Sequence, residues 1–135
     1  MSAQMKTIQS VGKRKRAVAR ATLSPGNGTV RINSQLLQFY EPGMYRSKIE
    51  EPMIIAGDSA KIVDINIKVI GGGIASQSDA ARLAVAKALV SFDKKLRLPF
   101  LAYDRTLLVA DVRQKEEHKP NRHGKARSKT QKSYR

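Results

Sequence analysis

Apolar and polar residues alternate along the first part of the chain and then take up a helical rhythm. From Ala17 to Ser24, Ala17, Ala19, Ala21 and Leu23 share one face, and Val18, Arg20, Thr22 and Ser24 share the other. A period of two is that of a strand with one buried face. Pro25-Gly26-Asn27-Gly28 follows, and Thr29-Val30-Arg31-Ile32-Asn33 alternates again. Pro presets φ, and Gly and Asn tolerate positive φ, so the pattern predicts a β-hairpin over 17–33. The clearest strand is Lys61–Ile70. Its Val63, Ile65, Ile67 and Val69 face one way, and Asp64, Asn66 and Lys68 face the other.

Two stretches read as helical. Arg46–Ala56 is expected in two short pieces. Ser47-Lys48-Ile49-Glu50 has the form of a capping box, Pro52 interrupts it and starts a second turn, and Gly57 ends that turn. The long helix is expected from Gln77 to Phe92, with Ser76 as N-cap and Asp79 completing its box. Ala81, Val85, Ala88, Leu89 and Phe92 form an apolar stripe, and the many alanines permit close approach to a sheet. Pro99 bars simple continuation beyond Asp93–Leu96. Leu107–Ala110 is a short apolar run, expected as a buried strand or turn, and the globular part is expected to end near residue 112.

Charge changes this picture of a plain α+β domain. The chain has 135 residues and a formal net charge of +15, from 26 Lys+Arg against 11 Asp+Glu. The excess lies at the ends. Residues 1–20 hold Lys6, Lys13, Arg14, Lys15, Arg16 and Arg20 and no acid, whereas residues 21–112 are nearly balanced. His118–Arg135 carries seven Lys or Arg, no acid and one large apolar side chain, Tyr134. Such a segment cannot bury enough apolar surface to fold alone, so residues 113–135 are expected as an extended arm. At roughly 3.3 Å per residue, its last 18 residues would span about 60 Å. A neutral body between two basic ends points to a nucleic-acid partner, since solubility needs no such segregation.

The same composition removes several function classes. There is no Cys, so disulfides and thiolate chemistry are excluded. No apolar run approaches the roughly 18 residues of a membrane span, and Met1–Lys6 lacks the apolar stretch of a signal peptide. The expectation is a cytoplasmic protein. His118 and His123 lack supporting Cys and sit among cations, which argues against a metal. No Ser, His and Asp are grouped for catalysis.

The candidate sites all suit phosphate. Gly12-Lys13-Arg14-Lys15-Arg16 is a compact basic run. If it is extended, Lys13 and Lys15 face opposite to Arg14 and Arg16, and one strand can touch RNA on two sides. Gly71-Gly72-Gly73 separates the best strand from the best helix and can offer backbone N–H groups to a phosphate. It lacks the GxxxxGK[ST] lysine and the full GxGxxG spacing, so an RNA backbone is the better ligand than a free nucleotide. Phe39, Tyr40 and Tyr45 are expected in the core. Tyr134 has no core to join and is read as stacking on a base or sugar.

Val11-Gly12-Lys13-Arg14-Lys15-Arg16-Ala17-Val18-Ala19-Arg20 resembles the opening signature of the small-subunit ribosomal protein nine family. Pro25-Gly26-Asn27-Gly28, Gly71-Gly72-Gly73-Ile74 with its Ala-rich helix, and the basic tail fit the same family, so the resemblance covers essentially the whole chain. The ending Gln131-Lys132-Ser133-Tyr134-Arg135 is similar to the archaeal and eukaryotic branch. The bacterial form ends Ser-Lys-Arg, so the role of its penultimate lysine does not transfer to Tyr134.

The resemblance implies an α+β fold like the second domain of ribosomal protein S five, with helices on a four-stranded sheet and a left-handed βαβ crossover. It implies a structural constituent of the small-subunit head, with rRNA and neighbouring head proteins as partners and no cofactor. Lys13, Arg14, Lys15, Arg16, Arg20, Gly71, Gly72, Gly73, Arg113, Lys115, Lys119 and Arg122 are the candidate rRNA contacts. Lys125, Arg127, Lys129, Lys132, Tyr134 and Arg135 are the candidate contacts to tRNA at the peptidyl site. Two other classes remain. One is a free-standing RNA- or DNA-binding factor. The other is a small-molecule phosphotransferase, since related folds occur among metabolite kinases; the scarcity of acidic metal ligands at the basic ends argues against it.

Overall fold

The computed structural model describes residues 6–122 and 124–127. Five strands form one mixed sheet: β1 (Ile8–Arg14), β2 (Ala17–Pro25), β3 (Val30–Ile32), β4 (Gln35–Leu36) and β5 (Val63–Ile70). Their order is β1-β2-β5-β3-β4. The two-residue β4 is added to the four strands expected. Helices α1 (Gly43–Ala56) and α2 (Asp58–Lys61) connect β4 to β5, while α3 (Ile74–Phe92) and α4 (Arg97–Tyr103) follow β5.

The alternation read from the sequence selects the buried face. Ala17, Ala19, Ala21 and Leu23 of β2 are fully buried, as are Val63, Ile65 and Ile67 of β5, within 1 %. Burying an Ile or Val side chain contributes about 1.5–3 kcal/mol, so these rows anchor the domain. The α3 stripe of Ala81, Val85, Ala88 and Leu89 meets them, with Phe92 partly buried at its end. Small residues bring the layers close. A Cβ added at Gly12 of β1 would lie 2.1 Å from the Ala80 carbonyl oxygen of α3. Beside it the Ser10 hydroxyl donates to the Ala84 carbonyl at 2.6 Å.

Three local readings are corrected, and a fourth is narrowed to one of its two alternatives. The 17–33 segment is not a hairpin, because β5 lies between β2 and β3, antiparallel to the first and parallel to the second. Alternation fixes which face is buried but not which strand is the neighbour. The loop at 25–29 is held by Asp64 of β5, whose Oδ1 accepts from the N–H groups of Asn27 and Thr29 at 2.9 and 3.0 Å. The true hairpin is β1–β2, turning at Lys15 and Arg16.

The expected pair of short helices is one helix, α1, with Pro52 inside it. Pro52 is buried with Ile49 and Ala56, and this packing offsets the lost helical hydrogen bond. Ser47 is no cap; its hydroxyl donates back to the Gly43 carbonyl at 3.0 Å. Gly57 does end α1, with φ 61°. Helix α3 begins at Ile74, with Gly73 as N-cap, so Ser76 lies inside it and Asp79 is free for other partners. In the 107–110 run only Leu107 is fully buried; it closes a short 3-10 turn, Arg105–Leu107, and no strand forms.

Candidate nucleic-acid interface

Three segments distant in sequence meet at one end of the sheet. The tip of the β1–β2 hairpin presents Lys15 and Arg16, both exposed, with Lys15 at φ 53°. The glycine turn packs beneath it. Gly71 and Gly72 have φ of 80° and 68°, a left-handed backbone that side chains disfavour. A Cβ at Gly71 would lie 2.6 Å from the Arg16 carbonyl oxygen, and one at Gly72 would lie 3.1 Å from the Ala17 Cβ. Gly73 is extended and has open space around it. No side chain caps α3 there, and the Gln77 amide reaches back to the Gly71 carbonyl at 3.1 Å. The first-turn N–H groups of a 19-residue helix thus open beside the basic hairpin tip.

The third segment is the start of the arm. Residues 112–119 contain no helix or strand and are exposed. Gln114 donates to the Lys15 carbonyl at 3.3 Å, which lays the arm against the hairpin. Lys15, Arg16, Lys115, His118 and Lys125 line a cleft of about 360 Å³ between them, together with Gln114, Glu116 and Glu117. Farther out, the Lys119 N–H donates to the Lys125 carbonyl at 2.8 Å, so the arm folds back into a loop. Arg127 pairs with Glu116 across that loop.

Acids decide which basic residues face outward. Asp111, at the root of the arm, accepts from the Arg113 guanidinium and backbone N–H and lies 3.4 Å from Nη1 of Arg14. These cations, Arg113 first, hold its carboxyl well below the usual carboxylate range. Arg14 also approaches Asp79 of α3 at 4.0 Å, and Lys48 of α1 reaches the same carboxylate at 3.5 Å. The Arg14 Nη1 is buried and makes no hydrogen bond of good geometry. Arg14 therefore tethers the arm to α3, unlike its exposed neighbours. Arg127 similarly depresses the Glu116 carboxyl.

The structure gathers some sequence-predicted residues and separates others. Lys15, Arg16, Gly71, Gly72, Gly73, Lys115 and Lys125 share the basic end. Arg113, Lys119 and Arg122 lie exposed along the arm. Lys13 and Arg20 point from the sheet face away from the helices. The alternation expected through Lys15 and Arg16 stops at Arg14, because the next two residues are the turn. Lys129, Lys132, Tyr134 and Arg135, like His123, lie outside the described residues. Of the expected core aromatics, Tyr40 packs on the core, and burial raises its hydroxyl pKa. Phe39 is 58 % exposed, and Tyr45 lies against Lys48. Sequence reasoning missed the Asp79–Arg14–Asp111 chain, for which no local pattern exists.

Among the described residues no group of three or more His, Asp or Glu could hold a metal, and no helix is long and apolar enough to cross a membrane. The sequence profile of the family described as "Ribosomal protein S9/S16" matches residues 12–135. Proteins named small ribosomal subunit protein uS9 from two strains of Methanococcus maripaludis are each 50 % identical over 134 residues, covering 97 % of this chain and all of theirs. The same-named protein of Methanococcus vannielii is 48 % identical over the same span.

Proposed function

Since the chain belongs to the ribosomal protein S9/S16 family, we propose that its basic end grips small-subunit rRNA and that its arm, from about residue 113, continues to tRNA at the peptidyl site. Membership makes it a structural constituent of the small ribosomal subunit, acting in translation in the cytoplasm, and not an enzyme. rRNA and other ribosomal proteins are its partners.

One observation carries the reading. The hairpin tip, the glycine turn with the open α3 N-terminus, and the arm converge on a single end rich in exposed cations. Backbone N–H groups and helix dipole suit a phosphate at Gly71–Gly73. Lys15, Arg16, Lys115, Lys119 and Arg122 release counterions as they meet further phosphates. Arg14 and Arg113 set the angle at which the arm leaves, through Asp111.

The tRNA contact is supported by the arm's composition. The segment from Lys125 onward has no apolar periodicity, and none of its described residues, 125–127, belongs to the core cluster. It carries Lys125, Arg127, Lys129, Lys132 and Arg135, with Tyr134 as a stacking group. Removing residues 125–135 should leave the domain folded and incorporated in the subunit while weakening tRNA at the peptidyl site. Arg135 should matter most per residue, because its guanidinium can fork two bonds to one phosphate. The measurement is tRNA affinity for ribosomes carrying intact, Arg135-deleted or arm-deleted protein at several Mg²⁺ concentrations. Equal affinity in all three would make the arm an rRNA anchor only.

A further inference from the structure

The helices cover one face of the sheet; among the described residues the other face carries nothing. On that open face the register sets Val11 beside Arg20 and Arg20 beside Lys68 in one row. The next row runs Gln9, Thr22, Asn66, Arg31. The row above starts with Lys13. Lys13, Arg20, Lys68 and Arg31 are all exposed. They form a diagonal band across four strands, about 20 Å long from strand spacing and rise.

This band is unfavourable for folding. Arg20 and Lys68 are direct cross-strand partners, and like charges directly opposite one another destabilise a sheet. Among the described residues no carboxylate forms an ion pair with any of the four cations. The one acid on this face, Asp64, lies at the far end and accepts from the 27–29 loop. The geometry points to an RNA sugar–phosphate backbone lying diagonally across the open sheet face, neutralised by Lys13, Arg20, Lys68 and Arg31, as a surface separate from the basic end. Among the described residues the face has no aromatic side chain for stacking, so contact is through phosphates and hydroxyls, with Gln9 and Asn66 as amide partners. An acidic protein segment is the competing occupant. The cations favour RNA because all four are exposed on one face and spread over four strands with no acid among them. The inference rests on the rRNA-binding reading and takes Lys13 and Arg20 from the basic N-terminal run, adding Lys68 and Arg31. It concerns the open face and not the basic end, so the two surfaces can fail separately.

The test uses the full chain and purified small-subunit rRNA across a salt series, comparing the original protein with Arg20→Gln/Lys68→Gln and with Lys15→Gln/Arg16→Gln. Two lost phosphate contacts should make the log K–log salt slope shallower by about 1.4 for a single strand or about 1.8 for a duplex. The matching affinity loss at 0.1 M salt is roughly 25- to 60-fold. Removing the Arg20–Lys68 repulsion should at the same time raise the Tm of the free protein by about 1–5 °C. Weaker binding with an equal or higher Tm supports the open face. A lower Tm overturns it, since the pair would then be structural. An unchanged slope for the sheet variant, with weaker binding by the hairpin variant, also overturns it, leaves the basic end intact and points to a protein occupant. Unchanged binding by both variants overturns both readings.

Discussion

Glycines set the closest approaches in this molecule, and two of them make contrasting tests. Gly12 is needed for space, because β1 lies flat on α3 and a methyl group there would meet the Ala80 carbonyl and the Ala84 nitrogen at 2.1 and 2.7 Å. Both are backbone atoms of a helix and cannot step aside. Gly12→Ala should lower stability by about 1–3 kcal/mol or more, whereas Gly73→Ala, with open space around the site, should be tolerated. Gly72 is needed for conformation. At φ 68° against Ala17, Gly72→Val should cost about 1–3 kcal/mol. Lys94→Ala, at an exposed position, should stay within about 0.5 kcal/mol. Chemical denaturation of the four variants reads all of this; equal midpoints for the Gly12 and Gly73 variants would show that β1 can lift from α3. The glycine turn was legible because three glycines between a strand and a helix name their own purpose. Gly12 was not, because its neighbour in space is 68 residues away.

At the scale of elements, the same division between local and distant information recurs. Periodicity named the buried faces of β2, β5 and α3 residue by residue, since burial on one face is a local demand. Adjacency was hidden: β5 entered between β2 and β3 through contacts that no window of sequence contains. Pro52 read as a break, yet its burial within α1 outweighed its helix cost. The arm root shows what such hidden pairing does. Asp111 binds Arg113 and Arg14, so the arm leaves the body at a fixed point. Asp111→Asn should free that root, and trypsin should then cut after Arg113 faster while the folded core persists. Titration gives a second check. A carboxylate whose pKa is depressed in the fold stabilises the fold above the ordinary value of about 3.9, and this is lost as pH falls toward the lower, folded value. Asp104 belongs to the same class, held down first by the Thr106 N–H and with help from Arg82. NMR titration should place the Asp111 carboxyl midpoint below about 3.9; a midpoint at or above it would mean that the root is unpaired in solution.

Over the whole molecule, charge is segregated by position in the fold more finely than by position in the chain. The sequence locates six cations before residue 21 and nine after residue 112, and their number was the plainest functional signal available. The structure divides them by task. Arg14, Arg113 and Arg127 are engaged with Asp111 and Glu116, and the hairpin tip and arm carry the outward-facing charge. The exposed pairs Arg113–Asp111 and Arg127–Glu116 are weak and screened by solvent, but exchanging either for a phosphate leaves a carboxylate to be solvated near that phosphate, and Arg14 is largely buried in its own pair. The three paired arginines should therefore contribute less to RNA binding than their count implies. If about half of the other twelve end cations meet phosphates, log K for rRNA against log salt should fall with a slope of about −4 to −5. Asp111→Asn and Glu116→Gln together should steepen it, because they release Arg113 and Arg127 for the polyanion, while Arg14 keeps Asp79. A slope measured by filter binding or fluorescence from 0.05 to 0.5 M salt decides the matter. One shallower than about −2, or one that the two substitutions leave unchanged, would mean that shape and hydrogen bonding, more than counterion release, hold this protein on its RNA.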